Sequence, residues 1–369
     1  MARVRMRDVA EHAGVSVRTV SNVVSGYTHV SPATRARVQR SLDELGYRMD
    51  YLARGLRSGR TGFVALAVPF LAEPYFAELA QAVVKAAARR GITVLVESTG
   101  GDSEVERRIL SGGLTNVADG VLLSALTLPS DAAVSVPDFP LVLLGEHSVG
   151  DGFPRVGIDN VAAARTAVEH LLEQGCRRIV ALGRNGSENG RQRTEGYRQA
   201  LAAAGVRKVN WLVVPVDDWT RKQGYEAVRQ LLDGSGPLPD GIFAFNDALA
   251  IGALRALDAS GVRVPQEVAV ASVDDVQEAA YAHPPLTSIA PDLDVIAERA
   301  LTLLDQQAGA ADRLPDAPAD APDAPHAPAG PEPAPEPTPF RLVVRESSRR
   351  LDLADQPQRA SQPQRAGQP

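Results

Sequence analysis

The first regular pattern along the chain is helical. Val9, Ala10 and Ala13 recur at helical spacing, and Gly14 interrupts the run. Ser16 is placed to cap a second helix by offering its hydroxyl to exposed backbone N–H groups. On that helix Val20, Val23 and Val24 form an inward face, and Val17, Arg18, Ser21 and Asn22 fall opposite. A third helix is predicted over residues 31–47, with Ser31 as cap, Pro32 at the first helical position and Gly46 as terminator. Two short helices around a glycine turn, the second polar outward, make a helix-turn-helix, whose second helix is shaped for a DNA major groove. A plain helical hairpin with a solvated face has the same turn, so the flanks must decide.

From Thr61 the period changes. Apolar runs at 63–69, 92–96, 120–124, 141–145, 178–183, 211–216, 241–245 and 268–273 read as strands. Helical stretches fall between them at 75–90, 103–110, 160–174, 193–204, 220–232 and 248–259. This alternation predicts parallel sheets covered by helices, and its length predicts two lobes. Such folds bind ligands at the carboxyl ends of strands, here the cleft between the lobes. Residues 308–339 are rich in Ala, Pro and Asp with almost no large apolar side chains, so they are predicted to be a disordered insertion. Residues 340–347 resume as a strand, and the tail over 348–369, with its repeated Gln-Pro-Gln-Arg-Ala, reads as disordered again. Neither segment carries the leucine heptads of a tetramerising helix, which leaves a homodimer as the expected assembly.

Composition narrows the function. A chain of 369 residues has room for two or three domains. No apolar run reaches membrane-spanning length and no signal-peptide pattern opens the chain, so the expectation is a soluble, cytoplasmic protein without a membrane partner. One cysteine, Cys176, and six scattered histidines give no disulfide framework, and no metal or cofactor is expected. The net charge of −6 is unevenly shared. Residues 1–60 carry eleven Arg and no Lys against five acidic residues, a net +6, whereas the rest carries 28 basic against 40 acidic residues, a net −12. A basic head on an acidic body is an electrostatic footprint for nucleic acid at one end.

Asp8-Val9-Ala10, Gly14-Val15-Ser16, Thr19-Val20-Ser21, Val23-Val24, Leu45-Gly46-Tyr47 and Ala53-Arg54-x-Leu56 follow one another without a gap over the first sixty residues. In order and spacing they resemble the lactose/galactose-repressor (LacI–GalR) family of transcription factors. The resemblance implies an α/β fold. An N-terminal helix-turn-helix three-helix DNA-binding domain (1–49) and a hinge helix with linker (50–61) precede a two-lobed periplasmic-binding-protein-like parallel α/β domain (62–347). That domain contains the 308–339 insertion and ends in the strand at 340–347.

On the DNA side the resemblance implies base reading by Val17, Arg18 and Asn22. Arg18 suits guanine O6/N7, with a phosphate contact as the alternative, and Asn22 suits adenine, directly or through water. Ser16, Thr19 and Ser21 suit phosphates, which position without specifying. His29 and Ala53 complete the set, with Leu56 as the hinge residue that enters the minor groove and unstacks a base step. A buried linker leucine is the alternative for Leu56, although Arg54 and Arg57 flank it. The sequence departs from the family where Gly55 replaces a small non-glycine residue and Met49 and Tyr51 replace prolines. Glycine costs about 1 kcal/mol relative to alanine inside a helix. The hinge, capped by Asp50, is therefore expected to order mainly on DNA.

On the effector side the resemblance carries over one position at a time. Arg193, in Arg-x-x-Gly-Tyr, reaches a sugar hydroxyl or a carboxylate. Asn246 contacts ligand while Asp247 caps the following helix, Asp274 bonds ligand hydroxyls, and Trp219 stacks on a pyranose face. From the first lobe Phe70, Glu73 and Tyr75 lie in the loop after the first strand with Phe76, which reads as core. Asp159 starts the first helix of the second lobe. Carboxylates, an amide, an arginine and a ring suit a polyhydroxyl effector, whereas a purine would favour an aromatic sandwich. The expected protein is a dimeric repressor of carbohydrate-utilisation genes, released from a pseudo-palindromic operator by a sugar. A purine or phosphosugar corepressor remains the alternative, and a sugar-binding or sugar-processing protein a further one. Catalysis is not expected. Adjacent Asp274 and Asp275 diverge, and Gly183-Arg184-Asn185-Gly186 lacks the full dinucleotide fingerprint.

Overall fold

In the computed structural model, residues 4–24, 27, 29–47, 60–127, 137–145, 152–207, 212–311 and 337–349 are described. The chain divides into two compact units, residues 1–62 and 63–369. In the first, α1 (Met6–Ala13) buries Val9, Ala10 and Ala13 and stops at Gly14, whose φ of 60° is the left-handed conformation that a side chain disfavours. Helix α2 (Val17–Val24) follows, with the Thr19 N–H donating to Ser16 Oγ at 3.1 Å. Helix α3 (Pro32–Glu44) starts from Ser31, whose hydroxyl accepts from Thr34 N–H. The three helices close over Val9, Ala10, Ala13, Val20, Val23, Val38 and Leu42. Residues 50–59 of the expected hinge helix and linker, with Ala53 and Leu56, lie outside the described residues.

The second unit holds two sheets. The first has the order β2-β1-β3-β4-β5 and is parallel throughout: β1 (Phe63–Val68), β2 (Thr93–Ser98), β3 (Val121–Leu123), β4 (Leu141–Leu144) and β5 (Arg155–Val156). It is flanked by α4 (Pro74–Arg89) and α5 (Ser103–Leu110). The second has the order β11-β10-β9-β8-β6-β7. Its strands are β6 (Ile179–Arg184), β7 (Leu212–Pro215), β8 (Gly241–Ala244), β9 (Ala269–Val273), β10 (Thr287–Pro291) and β11 (Phe340–Val343), and only the β10–β11 pairing is antiparallel. Helices α6 (Asn160–Glu173), α7 (Glu188–Ala203), α8 (Arg221–Asp233), α9 (Asp247–Ala259) and α10 (Gln277–Tyr281) belong to this lobe. Central strands β8 and β9 are buried along their whole length while edge strand β7 is not, as parallel sheets covered on both faces require.

The strand-rich reading misses β5, β10, α10 and α11 (Leu293–Ala311). Strand β10 escapes because Thr287 and Ser288 are buried polar residues that break the apolar run. Helix α7 begins at Glu188, five residues before the expected Arg193, because Ser187 caps it through Gly190 N–H. Strand β11 ends at Val343, short of the expected Ser347. Within the expected insertion some residues are ordered into the fold. Residues 308–311 continue α11, and Thr338 pairs with Ile158. Residues 312–336 and the tail from 350 lie outside the described residues.

Helix α11 ties the lobes together. Ile296, Ala297, Ala300, Leu301 and Leu304 pack into the first-lobe core although the neighbouring strands belong to the second sheet. Arg90 pairs with Glu298 at 2.9 Å and Asp305 at 2.8 Å, and Arg89 also meets Glu298. The chain therefore passes between lobes three times. Those crossings bond to one another through Thr338 N–H to Gly157 O at 2.8 Å and Asp292 N–H to Pro339 O at 3.1 Å.

Candidate functional site

Two groups of side chains were expected to carry chemistry, and each lies within one unit. On α2, Ser16, Val17 and Arg18 are exposed and Thr19, Ser21 and Asn22 half-buried, while Val20 and Val23 are buried. The helix thus turns its apolar edge to the core and its polar edge outward. The Thr19 and Ser16 hydroxyls lie 2.9 Å apart, so Ser16 serves the helix start at the same time as it faces outward. His29 is exposed and meets Tyr27 edge-on, with ring centroids 5.3 Å apart.

The second group forms at the carboxyl ends of β6, β8 and β9. Arg193, from α7, is only 5% exposed. Its Nε donates to Asn160 Oδ1 at 2.7 Å, Nη1 donates to the Phe245 carbonyl, and Nη2 stands 4.0 Å from Asp274 Oδ1. Its guanidinium also lies 5.0 Å from the centroid of the Trp219 ring, a cation–π arrangement. Trp219 is fixed by an Nε1–H bond to Gly183 O at 2.6 Å and an edge-on contact with Phe245. Arg193, Trp219 and Asp274 thus converge from three separate elements.

Asn246 takes the capping role expected of Asp247. Asn246 is the helix cap: its Oδ1 accepts Leu249 N–H at 2.9 Å, and its Nδ2 donates to Trp219 O at 3.3 Å. Asp247 is not a cap. It is 1% exposed and accepts from Ser272 Oγ at 2.5 Å, Ser288 Oγ at 2.6 Å and Val276 N–H at 2.8 Å. The reason is backbone geometry. The residue with extended φ and ψ of −146° and 171° is Asn246, which leaves Asp247 inside the first turn.

Asp274 and Asp275 adopt φ of 119° and 51°. Non-glycine residues held in such regions cost on the order of 1–3 kcal/mol each, and the surrounding contacts must enforce them. Burial pushes the Asp274 carboxyl well above the usual carboxylate range, against the pull of Arg193, with Asp247, Glu78 and Glu73 adding to the rise. Burial also raises Asp247 to about 6, opposed by its three hydrogen bonds. Arg345 neutralises Asp275 at 2.6 Å.

The remaining candidates are dispersed. Phe70 is 41% exposed in the loop after β1 and lies over Gly101. Glu73 occupies the cap position of α4 without a side-chain cap bond. Tyr75 and Phe76 are half-buried and pack against the first-lobe core, their ring centroids 5.3 Å apart. Asp159 is exposed and caps α6 through Ala162 N–H at 2.9 Å. Its neighbour Asn160, not anticipated from sequence, is fully buried against Arg193, and its Nδ2 has no hydrogen-bond partner among the described residues. Glu78, also not anticipated, accepts Gln277 N–H across the lobes at 2.8 Å. A cavity of about 590 Å³ opens beside Asp274, with Glu78, Asp275, Asp292, Phe340 and Arg341 in its wall. Arg193, Trp219 and Asn246 are not part of that wall. Among the described residues no cluster of His, Cys, Asp or Glu is arranged to hold a metal ion, and no helix is long and apolar enough to cross a membrane.

A helix-turn-helix with an outward polar edge, in one chain with a two-sheet body that has polar strand ends, defines a ligand-responsive DNA-binding regulator. Comparison with known proteins agrees. The family described as bacterial regulatory proteins, lacI family, matches residues 5–50, and the periplasmic binding protein-like domain matches residues 168–348. The HTH-type transcriptional regulator CelR of Thermobifida fusca is 38% identical over 316 residues, covering 82% of this chain and 91% of CelR. A solved CelR–cellobiose complex superposes with a TM-score of 0.62 at 32% identity, covering 94% of this chain and 100% of that one. The lac repressor dimer bound to operator and the anti-inducer ONPF gives 0.76 at 25% identity, covering 94% and 99%. The chain belongs to the LacI family of DNA-binding transcriptional regulators.

Proposed function

We propose that the protein is a dimeric cytoplasmic repressor that α2 seats on a pseudo-palindromic operator and that a neutral sugar releases, without catalysing a reaction. The observation that carries this reading is the buried Arg193, stacked on Trp219 and facing Asp274 at the strand ends. A guanidinium, an indole face and a carboxylate together match the hydroxyls and apolar face of a pyranose, and the relative CelR has been solved with cellobiose. In this reading Arg193, Trp219 and Asp274 meet the sugar from the second lobe, and Phe70 and Glu73 from the first. Asn246 supports Trp219 through its backbone, and Asp159 keeps its capping role.

Arg18 and Val17 read bases, Asn22 assists, and Ser16, Thr19, Ser21 and His29 hold phosphates. Ala53 and Leu56 act in the hinge between residues 1–49 and the body at 62–347. The dimer follows the lac repressor, solved as a dimer on operator. It has apolar side chains to cover: Leu95 and Val96 on β2, Val84 on α4, and Tyr281, which is 81% exposed. Ligand can shift the equilibrium only by preferring the low-affinity state, and DNA then weakens the ligand by the same factor.

Fluorescence anisotropy on DNA from the region upstream of its own gene, with and without a sugar panel that includes cellobiose, tests the reading. Release by one sugar is the expected result. Tight binding that no sugar moves would overturn the effector assignment, and no binding at low salt would overturn the assignment of α2.

A further inference from the structure

The segment from Asp274 to Gln277 joins β9 to α10 and has a task at each end. Asp274 faces Arg193, and Gln277 donates its backbone N–H to Glu78 Oε1 of the first lobe. Between them the backbone is held in the conformations of positive φ at 274 and 275, so something must hold it. Asp247 does this from the first turn of α9. Its Oδ2 accepts Val276 N–H at 2.8 Å, and its Oδ1 accepts the Ser272 and Ser288 hydroxyls. Ser288 Oγ, oriented by that donation, accepts Asp275 N–H at 3.0 Å. The two backbone N–H groups that follow Asp274 therefore end on Asp247, one directly and one through a single hydroxyl.

A carboxylate suits this place because it only accepts, and three donors converge on it. An amide would turn an NH2 group towards one of those donors. We propose that Asp247 is the positioning residue that aims Asp274 at the effector and sets the cross-lobe bond from Gln277 to Glu78. Its neighbour Asn246 holds the helix start, so the consecutive pair divides into a capping residue and a positioning residue.

Asp274 as an effector contact comes from the reading above, so the test needs one readout independent of any sugar. Amide hydrogen exchange on the full chain supplies it, comparing wild type, Asp247→Asn and Ser288→Ala. Exchange at 275 and 276 is expected to quicken at least tenfold in both variants, while the amides of β1 stay unchanged. The second readout is release of operator DNA by the panel sugar that releases wild type, beginning with cellobiose. The half-release concentration is expected to rise at least tenfold, with operator affinity in the absence of sugar held within threefold.

Unchanged exchange at 275 and 276 would overturn the proposal. Faster exchange with an unchanged half-release concentration would overturn it as well, because Asp247 would then be only structural. If no sugar releases the wild-type protein, the sugar reading fails by itself, and exchange alone decides whether Asp247 holds the segment. Should Asp247→Asn not fold, Ser288→Ala carries both readouts.

Discussion

The side chains assigned to DNA at the start and along α2 are exposed or half-buried, whereas Arg193 and Asp247 are buried, Arg193 facing Asp274 and bonded to Asn160, and Asp247 bonded to Ser272, Ser288 and Val276. A protein can spare an exposed recognition residue because the fold does not depend on it. It cannot spare a buried one, since each partner left behind becomes an unpaired polar group. In this chain the DNA surface should therefore be separable from stability, and the effector site should not.

The largest break in that contrast is expected from Arg193→Ala. It strips Asn160 Oδ1, the Phe245 carbonyl and Asp274 of their cation at once. Removing one partner from a buried charged network costs about 3–5 kcal/mol. Denaturant unfolding of the second unit should show a loss of that order, together with loss of sugar response. A stability within about 0.5 kcal/mol of wild type, the usual range for surface changes, would place the site on the same footing as α2.

Titration sharpens the comparison next. Asp247 is raised to about 6, and Asp274 is raised as well, both by burial first. An acid whose folded pKa lies above its unfolded value binds more protons when folded, so its contribution to stability is fully present below the unfolded value near 3.8. That contribution is lost as pH rises through about 6. Relative to Asp247→Asn, which cannot titrate, wild type should lose stability between pH 4 and pH 6. A flat difference over that window would mean that the carboxylate is ionised throughout.

How far each region was legible follows the same division. Helices α1 to α3 depend on neighbours in sequence: Gly14 for the turn, Ser16 and Ser31 for the caps, and valines at helical spacing. All of these can be read directly. Arg193, Trp219 and Asp274 could be named from the family pattern, but their convergence is tertiary, and the part Asn160 plays in it had no local signal. Asn246 and Asp247 show where sequence reasoning stops. Both are good capping residues by type, and only the extended backbone at Asn246 decides between them. Helix α11 was missed because the apolar residues that dock it on the first lobe follow directly from a strand of the second.

Arg18→Ala tests the DNA side of the contrast. An arginine that contacts a base with two bonds is worth about 1–3 kcal/mol of discrimination. Operator affinity should fall by about 2 kcal/mol while the unfolding transition stays in place, because the side chain is exposed. The loss should also shrink on an operator altered at the contacted base. A uniform loss on every sequence, with a shallower salt dependence, would reassign Arg18 to a phosphate.

The smallest effect is expected where the two roles meet in one residue. Ser16 accepts Thr19 N–H and also stands on the outward face of α2. Ser16→Ala removes the cap, which costs about 1 kcal/mol. It also removes a hydroxyl that could donate to a phosphate. Ser16→Asp keeps an acceptor for Thr19 N–H and favours the positive end of the helix, but sets a negative charge against the DNA backbone. The two substitutions should therefore separate: alanine lowers stability slightly and operator affinity slightly, whereas aspartate preserves stability and weakens binding more than alanine does. Equal binding by both variants would confine Ser16 to capping and leave phosphate contact to Thr19 and Ser21.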